Sequence, residues 1–450
     1  MANVIRLRKG LDIHLQGQAE EKKIQLKSNG KFALVPDDFE GVTPKVVVRE
    51  GDYVRAGDAL FVNKQYPEVK FASPVSGKVV AVERGERRKV LCVKVEADAG
   101  GQQNYVDFGR KDVEKMDGHA VVEALLEAGI FGYINQLPYA VSTNPSVMPR
   151  AIFVSALRDK PLACNFEYEV KGQEQDFQTG LTALSKIAKT YLGVGIESAL
   201  KQVQNVEVNI FDGKCPAGNV GVQVNNVAPV NKGEVVWTIG DPTVVLFIGR
   251  LLNTGKVDLR RTVALCGSEI KSPACVDMLV GEELSTLLSN SYDASKNVRI
   301  INGNVLTGKP TTKNGYLGAH SSEITVIPEG NDADEMLGWI MPRLKQFSVN
   351  RSYFSWLCGK KKAYALDARV KGGERHIIMS GEYDRVLPMD IYGEYLIKAI
   401  IAGDIDRQEA LGIYEVSPED FALAEFVDSS KLELQRIVRE GLNVLRKENT

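Results

Sequence analysis

FASPVSGKVVAV (residues 71–82) is the stretch whose reading decides the architecture of the first part of this chain. Ser73-Pro74-Val75-Ser76-Gly77 has the composition of a tight turn, and KVVAV is a short strand returning from it. Working back, KVVVREGDYVRAGDALFVNK (residues 45–64) adds two apolar runs punctuated by Glu50-Gly51-Asp52 and Ala56-Gly57-Asp58, both turn signals. Working forward, the composition loosens at Asp98-Ala99-Gly100-Gly101-Gln102-Gln103, and a boundary is placed there, so residues 1–100 read as one unit of strands and turns.

This pattern resembles the scaffold of biotinyl and lipoyl carrier domains, where a lysine on an exposed hairpin bears a swinging arm. The position of that lysine is taken here by Tyr66, followed by Pro67. Lys64 stands two residues away in NKQYPEVK, without flanking methionines. The barrel is predicted and its modification is not.

With 450 residues the chain is long enough for about three domains with cores of their own. Its formal net charge of −2, with 25% charged residues, gives no general attraction to nucleic acid, and no nucleic-acid partner is expected. The six cysteines (Cys92, Cys164, Cys215, Cys266, Cys275 and Cys358) are never closer than nine positions. That spacing leaves no CxxC for a metal or cluster and predicts mostly buried, reduced thiols. MANVIRLRKGLDIHLQG lacks the apolar core of a signal peptide, and TVVLFIG (residues 243–249) is too short to span a bilayer, so a cytoplasmic location is expected.

The second region, residues 101–255, alternates helix and strand. AVVEALLEAG (residues 120–129) has helical apolar spacing and a closing glycine, and AIFVSAL (residues 151–157) is a continuous apolar run suited to a buried strand. DFQTGLTALSKIA places Phe177, Leu181, Leu184 and Ala188 on one helical face, and VEVNIF alternates at period two. Asp241-Pro242 before TVVLFIGRLLNTG supplies an N-cap and N1 proline, with Gly255 as the stop. Residues 256–330 return to short strands, TVALCG, VDMLVG, VRIING and EITVIPEG, interrupted by one predicted helix, EELSTLLSN. Residues 331–450 become mainly helical. GEYLIKAIIAG, SPEDFALAEF and KLELQRIVREGLNVLRKE carry the signal, the last with Leu434, Ile437, Val438, Leu442 and Leu445 in one stripe.

Chemistry-bearing motifs are few. GVGIES (residues 193–198) lacks the third glycine of a dinucleotide loop and reads as an ordinary strand-to-helix turn. His14, His119, His320 and His376 are scattered, without HExxH, GxSxG or a Cys/His pair, so neither a catalytic residue nor a metal ligand is proposed. KQFSVNRSYFSWL (residues 345–357) would place Phe347, Arg351 and Phe354 on one side if helical, a binding composition that also suits plain core. Lys360-Lys361-Lys362 most simply form a solvated turn.

Taken in order, RKGLDI, VKFASPVSGKVVAVERGERR, AIFVSAL, FDGKCPAG, GYLGAHSSEITVIPEG, GWIMPRLKQFSVNRSYF and YDRVLPMDIY resemble the A subunits of bacterial Na+-translocating NADH:quinone reductases from end to end. The layout is also similar to the C subunit of the electron-transporting Rnf complex and to the NADH-binding subunit of respiratory complex I. The resemblance implies a multidomain α/β plus β fold. Its parts would be a biotinyl-like barrel-sandwich hybrid, a Rossmann-like α/β domain, a β-grasp domain of the soluble-ligand-binding type, and a C-terminal helical domain like a ferredoxin-like domain without cluster ligands.

Those relatives carry a GxGGAGFPT-type loop for flavin and NADH, and cysteines for iron–sulfur clusters. Here the loop reads GIFGYINQLPYAV (residues 129–141), whose bulky residues keep the backbone from a phosphate, and Leu387 and Asp428 stand where cysteines would be. The resemblance therefore implies a chain that binds no cofactor itself, within a complex that uses flavins, iron–sulfur centres and quinone. Five other subunits are the implied partners, chiefly the membrane-embedded quinone-reducing one, on the inner face of the cell membrane. The role is structural, with contact to ubiquinone or menaquinone as the further expectation. The candidate quinone or subunit interface is Met341, Pro342, Phe347, Arg351, Phe354 and Trp356. A self-sufficient NADH–flavin oxidoreductase and a biotinylated or lipoylated carrier are the alternatives; the 129–141 loop argues against the first and Tyr66-Pro67 against the second.

Overall fold

The computed structural model describes residues 3–99, 103–331, 340–359 and 362–449. Part of the 98–103 boundary, and Lys360 and Lys361, lie outside the described residues. Two short, largely exposed strands come first, β1 (Asn3–Arg6) and β2 (Glu20–Ile24). Seven more follow: β3 (Lys31–Leu34), β4 (Pro44–Val46), β5 (Tyr53–Val54), β6 (Ala59–Asn63), β7 (Lys70–Ala72), β8 (Gly77–Arg84) and β9 (Val90–Ala97). These make two antiparallel layers, ordered β3-β9-β8-β5 and β4-β6-β7. The quoted turn joins β7 to β8 as read, with the Ser73 hydroxyl donating to the Val75 carbonyl at 2.7 Å. Glycine is required at its end because a Cβ on Gly77 would collide with the Glu96 carbonyl on β9.

The α/β region runs α1 (Gly118–Glu127), β10 (Asn135–Leu137), β11 (Val141–Ser142), β12 (Ala151–Ser155), α2 (Phe166–Val170), α3 (Glu174–Ile187) and β13 (Lys189–Gly195). It continues with β14 (Glu207–Asp212), α4 (Val220–Val227), β15 (Val236–Ile239) and α5 (Thr243–Thr254). The sheet order is β1-β14-β13-β12-β15-β10-β11; the first five strands run parallel, and β10 and β11 close the edge antiparallel. AIFVSAL is apolar apart from Ser155 because β12 is covered on both faces. Ile152 and Val154 join the core that holds α1, α3 and α5, whereas Ala151 and Phe153 pack toward α4. From β12 the chain lays β13 and β14 on one side and then crosses to place β15 on the other. A sheet reversing in this way leaves a crevice at the carboxyl ends of β12 and β15.

The third region contains β16 (Arg260–Cys266), β17 (Ala274–Leu279), β18 (Val298–Asn302), β19 (Lys309–Thr311) and β20 (Glu323–Pro328). With β2 they form a sheet ordered β19-β18-β20-β16-β17-β2. The helix predicted for EELSTLLSN does not form; residues 284–290 are successive turns. Its polar side chains make local bonds instead: the Ser285 hydroxyl donates to Glu283 at 2.6 Å, and Glu282 accepts the Leu279 N–H.

Five helices close the chain: α6 (Glu382–Val386), α7 (Gly393–Ala402), α8 (Ile405–Ala410), α9 (Ala422–Val427) and α10 (Leu434–Glu448). The stripe of α10 is as read, with Leu434, Val438, Leu442 and Leu445 buried and Ile437 packed beside them. Residues 345–353 are not helical, and only a 3-10 turn, Phe354–Cys358, follows them. Arg351 adopts φ +56°, which a helix cannot continue through. Among the described residues no helix is long and apolar enough to cross a membrane.

Candidate functional site

A cleft of about 530 Å³ opens at the carboxyl ends of β12 and β15, and all the regions of the chain contribute to its walls. Arg158, Asp159 and Lys160 come straight off β12, Gly240 and Asp241 off β15, Asp38 and Glu40 from the barrel-sandwich, Lys309 and His320 from the third region, and Glu419 and Arg439 from the helical one.

Arg158 and Asp241, which line it, belong to a buried ion network. Arg158 Nη1 lies 2.9 Å from Glu169 Oε2 and Nη2 lies 3.1 Å from Asp241 Oδ1; Arg261 Nη2 lies 2.9 Å from Asp241 Oδ2. The Arg261–Asp241 contact is electrostatic, without the alignment of a hydrogen bond. Glu169 also accepts the Thr262 N–H at 3.0 Å and the Thr243 hydroxyl at 3.1 Å, and Arg261 Nη1 donates to the Ala319 carbonyl at 2.9 Å. Arg261 comes from β16 and Arg158 from the connector after β12, so the network rivets the third region onto the end of the parallel sheet. Burial pushes the Asp241 carboxyl up, but the two arginines and His320 beside it outweigh that and hold it at about 2. Read as a helix cap, Asp241 does accept the Thr243 N–H at 3.3 Å, and Pro242 occupies the cap position itself. His320 stands edge-on to Phe39 and Tyr133, with ring centroids 5.8 and 5.5 Å away, and burial lowers its pKa despite Asp241 and Asp38 nearby.

The opposite lip is the start of α4, a helix N-terminus of the kind that attracts negative charge. Carboxylates of this chain hold the position. Asn219 Nδ2 donates to Asp420 Oδ1 and to the Glu419 carbonyl, each at 3.1 Å, and Lys160 donates to Glu419 Oε2 at 2.8 Å. The Gly218 N–H donates to Asp159 Oδ2 at 2.8 Å, and a Cβ on Gly221 would collide with the Asp420 carboxylate. Asp420 caps its own turn, accepting the Ser417 N–H and hydroxyl, both at 2.8 Å. Burial, with Glu419 alongside, pushes the Asp420 carboxyl up to about 7, and burial raises Asp159 to about 6.

The 129–141 loop lies against the barrel-sandwich. Ile130, Phe131, Tyr133 and Ile134 are buried; Phe131 meets Trp237 edge-on at 5.3 Å and Tyr133 meets Phe39 at 5.0 Å. A Cβ on Gly132 would run into the Phe71 ring, so this glycine serves close packing against the strand quoted at the outset. Arg439 of α10 donates to the Tyr139 and Ala140 carbonyls at 2.9 and 3.0 Å and clamps the loop from the other side. Leu387 and Asp428 follow α6 and α9, which pack together, and both are buried. Asp428 accepts the Ser430 and Leu432 N–H groups at 3.0 and 2.8 Å. Among the described residues no group of three or more His, Cys, Asp or Glu could hold a metal ion.

The six interface candidates divide. Phe347 turns inward, with ring centroids 5.7 Å from Tyr364 and 6.0 Å from Phe426. Met341, Pro342, Arg351, Phe354 and Trp356 are exposed. The Phe354 N–H donates to the Pro342 carbonyl at 3.1 Å, drawing both ends of the segment together, and the Arg351 guanidinium lies 5.2 Å from the Trp356 ring. Phe354 at 57%, Trp356 at 45%, Met341 at 60% and Leu357 at 64% exposure form part of an apolar outer surface. Lys64 is exposed on the β6–β7 hairpin, and Tyr66 is half-buried against the core. His14, His119 and His376 are exposed; His320 alone of the four enters the cleft wall.

Sequence reasoning missed the Arg158–Glu169–Asp241–Arg261 network and the carboxylates at α4. One signal was available: Leu157-Arg158-Asp159-Lys160 directly follows a fully buried parallel strand, where charge is found at a ligand-binding or interdomain edge.

Comparison with known proteins agrees with this architecture. Residues 5–98 match the NqrA N-terminal barrel-sandwich hybrid domain, residues 116–257 the NqrA second alpha/beta domain, and residues 262–313 the NQRA C-terminal domain. Proteins named as the A subunit of Na(+)-translocating NADH-quinone reductase align over 99% of this chain and 100% of their own length. Those of Yersinia pestis bv. Antiqua (strain Angola) and Haemophilus influenzae (strain PittGG) are 32% identical, and that of Neisseria meningitidis serogroup B is 31% identical. Among solved structures, an NAD+-reducing [NiFe]-hydrogenase in the H2-reduced state shows a distant likeness only, with TM-score 0.37 at 12% identity over 75% of this chain and 62% of that one. On the full-length identity to those relatives, the chain belongs to the family of A subunits of Na(+)-translocating NADH-quinone reductases.

Proposed function

We propose that this chain is a cofactor-free scaffold subunit of a Na+-translocating NADH:quinone oxidoreductase, seated on the cytoplasmic face of the membrane. The observation that carries the reading is the occupied switch point. The cleft where a parallel sheet of this kind binds its nucleotide is lined by the paired Arg158 and Asp241, and Glu419 and Asp420 of the same chain sit at the start of α4 on its lip. Five other subunits, chiefly the membrane-embedded quinone-reducing one, are its partners. The exposed face at Met341, Pro342, Arg351, Phe354 and Trp356 is the contact for that membrane partner and for ubiquinone or menaquinone, because it combines aromatic anchors, arginine and exposed apolar side chains. In the same reading the seven-stranded sheet is Rossmann-like, the third region is a β-grasp domain of the soluble-ligand-binding type, and the domains span residues 1–100, 101–255, 256–330 and 331–450.

A visible absorbance spectrum of the purified chain tests the cofactor part: no flavin or iron–sulfur band is expected, and stoichiometric bound flavin sinks it. For the surface, Phe354→Ala with Trp356→Ala should leave the melting temperature near that of the parent, since both side chains are exposed. The double variant should weaken attachment to the membrane subunits by roughly thirty-fold, the effect of losing an interface anchor of about 2 kcal/mol. Co-purification from membranes at graded salt measures this, and unchanged assembly together with unchanged quinone binding removes the segment from consideration.

A further inference from the structure

Two thiols far apart in sequence meet beneath the N-terminal strand. Cys164 Sγ and Cys275 Sγ are 3.9 Å apart and buried, with Ala264 beneath them and Ala19 and Tyr168 packed against the pair. Cys164 belongs to the connector after β12, and Cys275 lies on β17 of the six-stranded sheet. No other pair of the six cysteines is in sulfur contact among the described residues.

Both backbones are irregular beside the pair. Leu162, two residues before Cys164, takes φ +65°, and the pairing of β17 with β2 shifts register between Ala274 and Cys275. A disulfide needs the sulfurs at about 2.05 Å, so they must approach by roughly 1.9 Å, within reach of side-chain rotation plus a small shift at two irregular sites. The cover over the pair is light. β2 is an exposed edge strand, held there by Gln18 Nε2 donating to the Ala163 carbonyl at 3.0 Å and Asn165 Nδ2 donating to Glu21 at 3.1 Å.

We propose that Cys164 and Cys275 are a peroxide-oxidisable dithiol whose disulfide locks the wall of the cleft to the third region. The chemistry has two steps. The Cys275 thiolate attacks one oxygen of hydrogen peroxide, the O–O bond breaks, and the departing hydroxide takes a proton to become water, leaving a sulfenic acid. The Cys164 sulfur then attacks the Cys275 sulfur, the S–O bond breaks, and the hydroxide leaves as water with the Cys164 proton. Two thiols are oxidised, one peroxide is reduced, and two waters form. Cys275 is the attacking sulfur because it lies on the strand that only the exposed edge strand β2 covers; its contact with Cys164 also lowers the Cys275 thiol, whereas that contact and burial raise Cys164. The consequence reaches the cleft because Ala163, next to Cys164, and Arg158, Asp159 and Lys160 just before it form its wall.

The test uses the full chain with Cys358→Ser, which removes the exposed thiol that would cross-link molecules. After hydrogen peroxide and alkylation under denaturing conditions, two free thiols should be missing, and mass spectrometry should recover a peptide pair joined through Cys164 and Cys275. Dithiothreitol should restore both thiols, and the oxidised form should unfold at higher urea than the reduced form. Cys275→Ala and Cys164→Ala, small apolar replacements suited to a site lined by alanines, should each abolish the shift. Retention of both thiols at a peroxide dose that fully oxidises Cys358 in the parent overturns the proposal. So does a linkage between other cysteines, or a thiol loss that persists in both alanine variants.

Discussion

Replacing Asp241 by asparagine should cost this protein about 3–5 kcal/mol of stability, the range for removing one partner of a buried ion pair. The size follows from what is left behind: Arg261 is fully buried and keeps the Ala319 carbonyl, while Arg158 keeps Glu169. A compensating change separates this from a simple loss of packing. Adding Arg261→Met removes the stranded charge, so the double variant should recover much of the loss, and urea denaturation of the parent and three variants measures the coupling. Equal losses in the single and double variants would mean that the network contributes only shape. The pH sign follows from the depressed carboxyl. Asp241 titrates at about 2 when folded against 3.8 for the free group, so its contribution is complete above about pH 4 and disappears as pH falls through 2.

Asp420 has the opposite linkage. Its folded pKa of about 7 lies above the free value of 3.8, so the folded state holds the proton more tightly, and stability should fall as pH rises from about 4 through 7. A shift of that size corresponds to something on the order of 2–4 kcal/mol between the ends of the window, given the coupling to Glu419. Asp420→Asn should flatten this dependence and be more stable than the parent at pH 8. The gain comes from removing the buried charge, while the carbonyl oxygen of the new side chain still accepts the Ser417 N–H. Asp420→Ala should instead lose stability at pH 5, where the Ser417 N–H loses its side-chain acceptor and the Asn219 amide keeps only the Glu419 carbonyl. Urea midpoints at pH 5 and pH 8 for the three proteins decide it; a parent whose midpoint does not change across that window contradicts the assignment.

How much of this was legible in the sequence depended on how local the cause was. The Ser73–Gly77 turn, the doubly buried β12 and the stripe of α10 each rest on a few adjacent residues, and each appears where the pattern placed it. EELSTLLSN has helical spacing too, but Ser285 and its two glutamates bond locally and win over the period. The cleft was largely invisible. Arg158 meets Glu169 eleven positions on and Asp241 much further along the chain, and no spacing rule connects them to Arg261. Asp420 hid within an ordinary capping box, Ser417 to Asp420, whose second task at α4 depends on docking between regions. Phe347 and Phe354 look equivalent on paper, yet one packs on Tyr364 and the other faces outward, because the helix that would have aligned them is broken at Arg351.

The two opening strands set a schedule for biosynthesis. β1 pairs in parallel with β14 and β2 with β17, so each lies beside a strand made some 200 to 250 residues later. At about 5–20 residues per second, β2 waits roughly 10–50 s on the ribosome before its neighbour exists. The barrel-sandwich between them can mature meanwhile, but the leading segment must remain outside it, an unsatisfied edge available to any passing strand. A cell making this protein therefore gains from a chaperone that shelters the nascent N-terminus, and slow translation upstream of β17 should raise aggregation while leaving the finished protein unchanged.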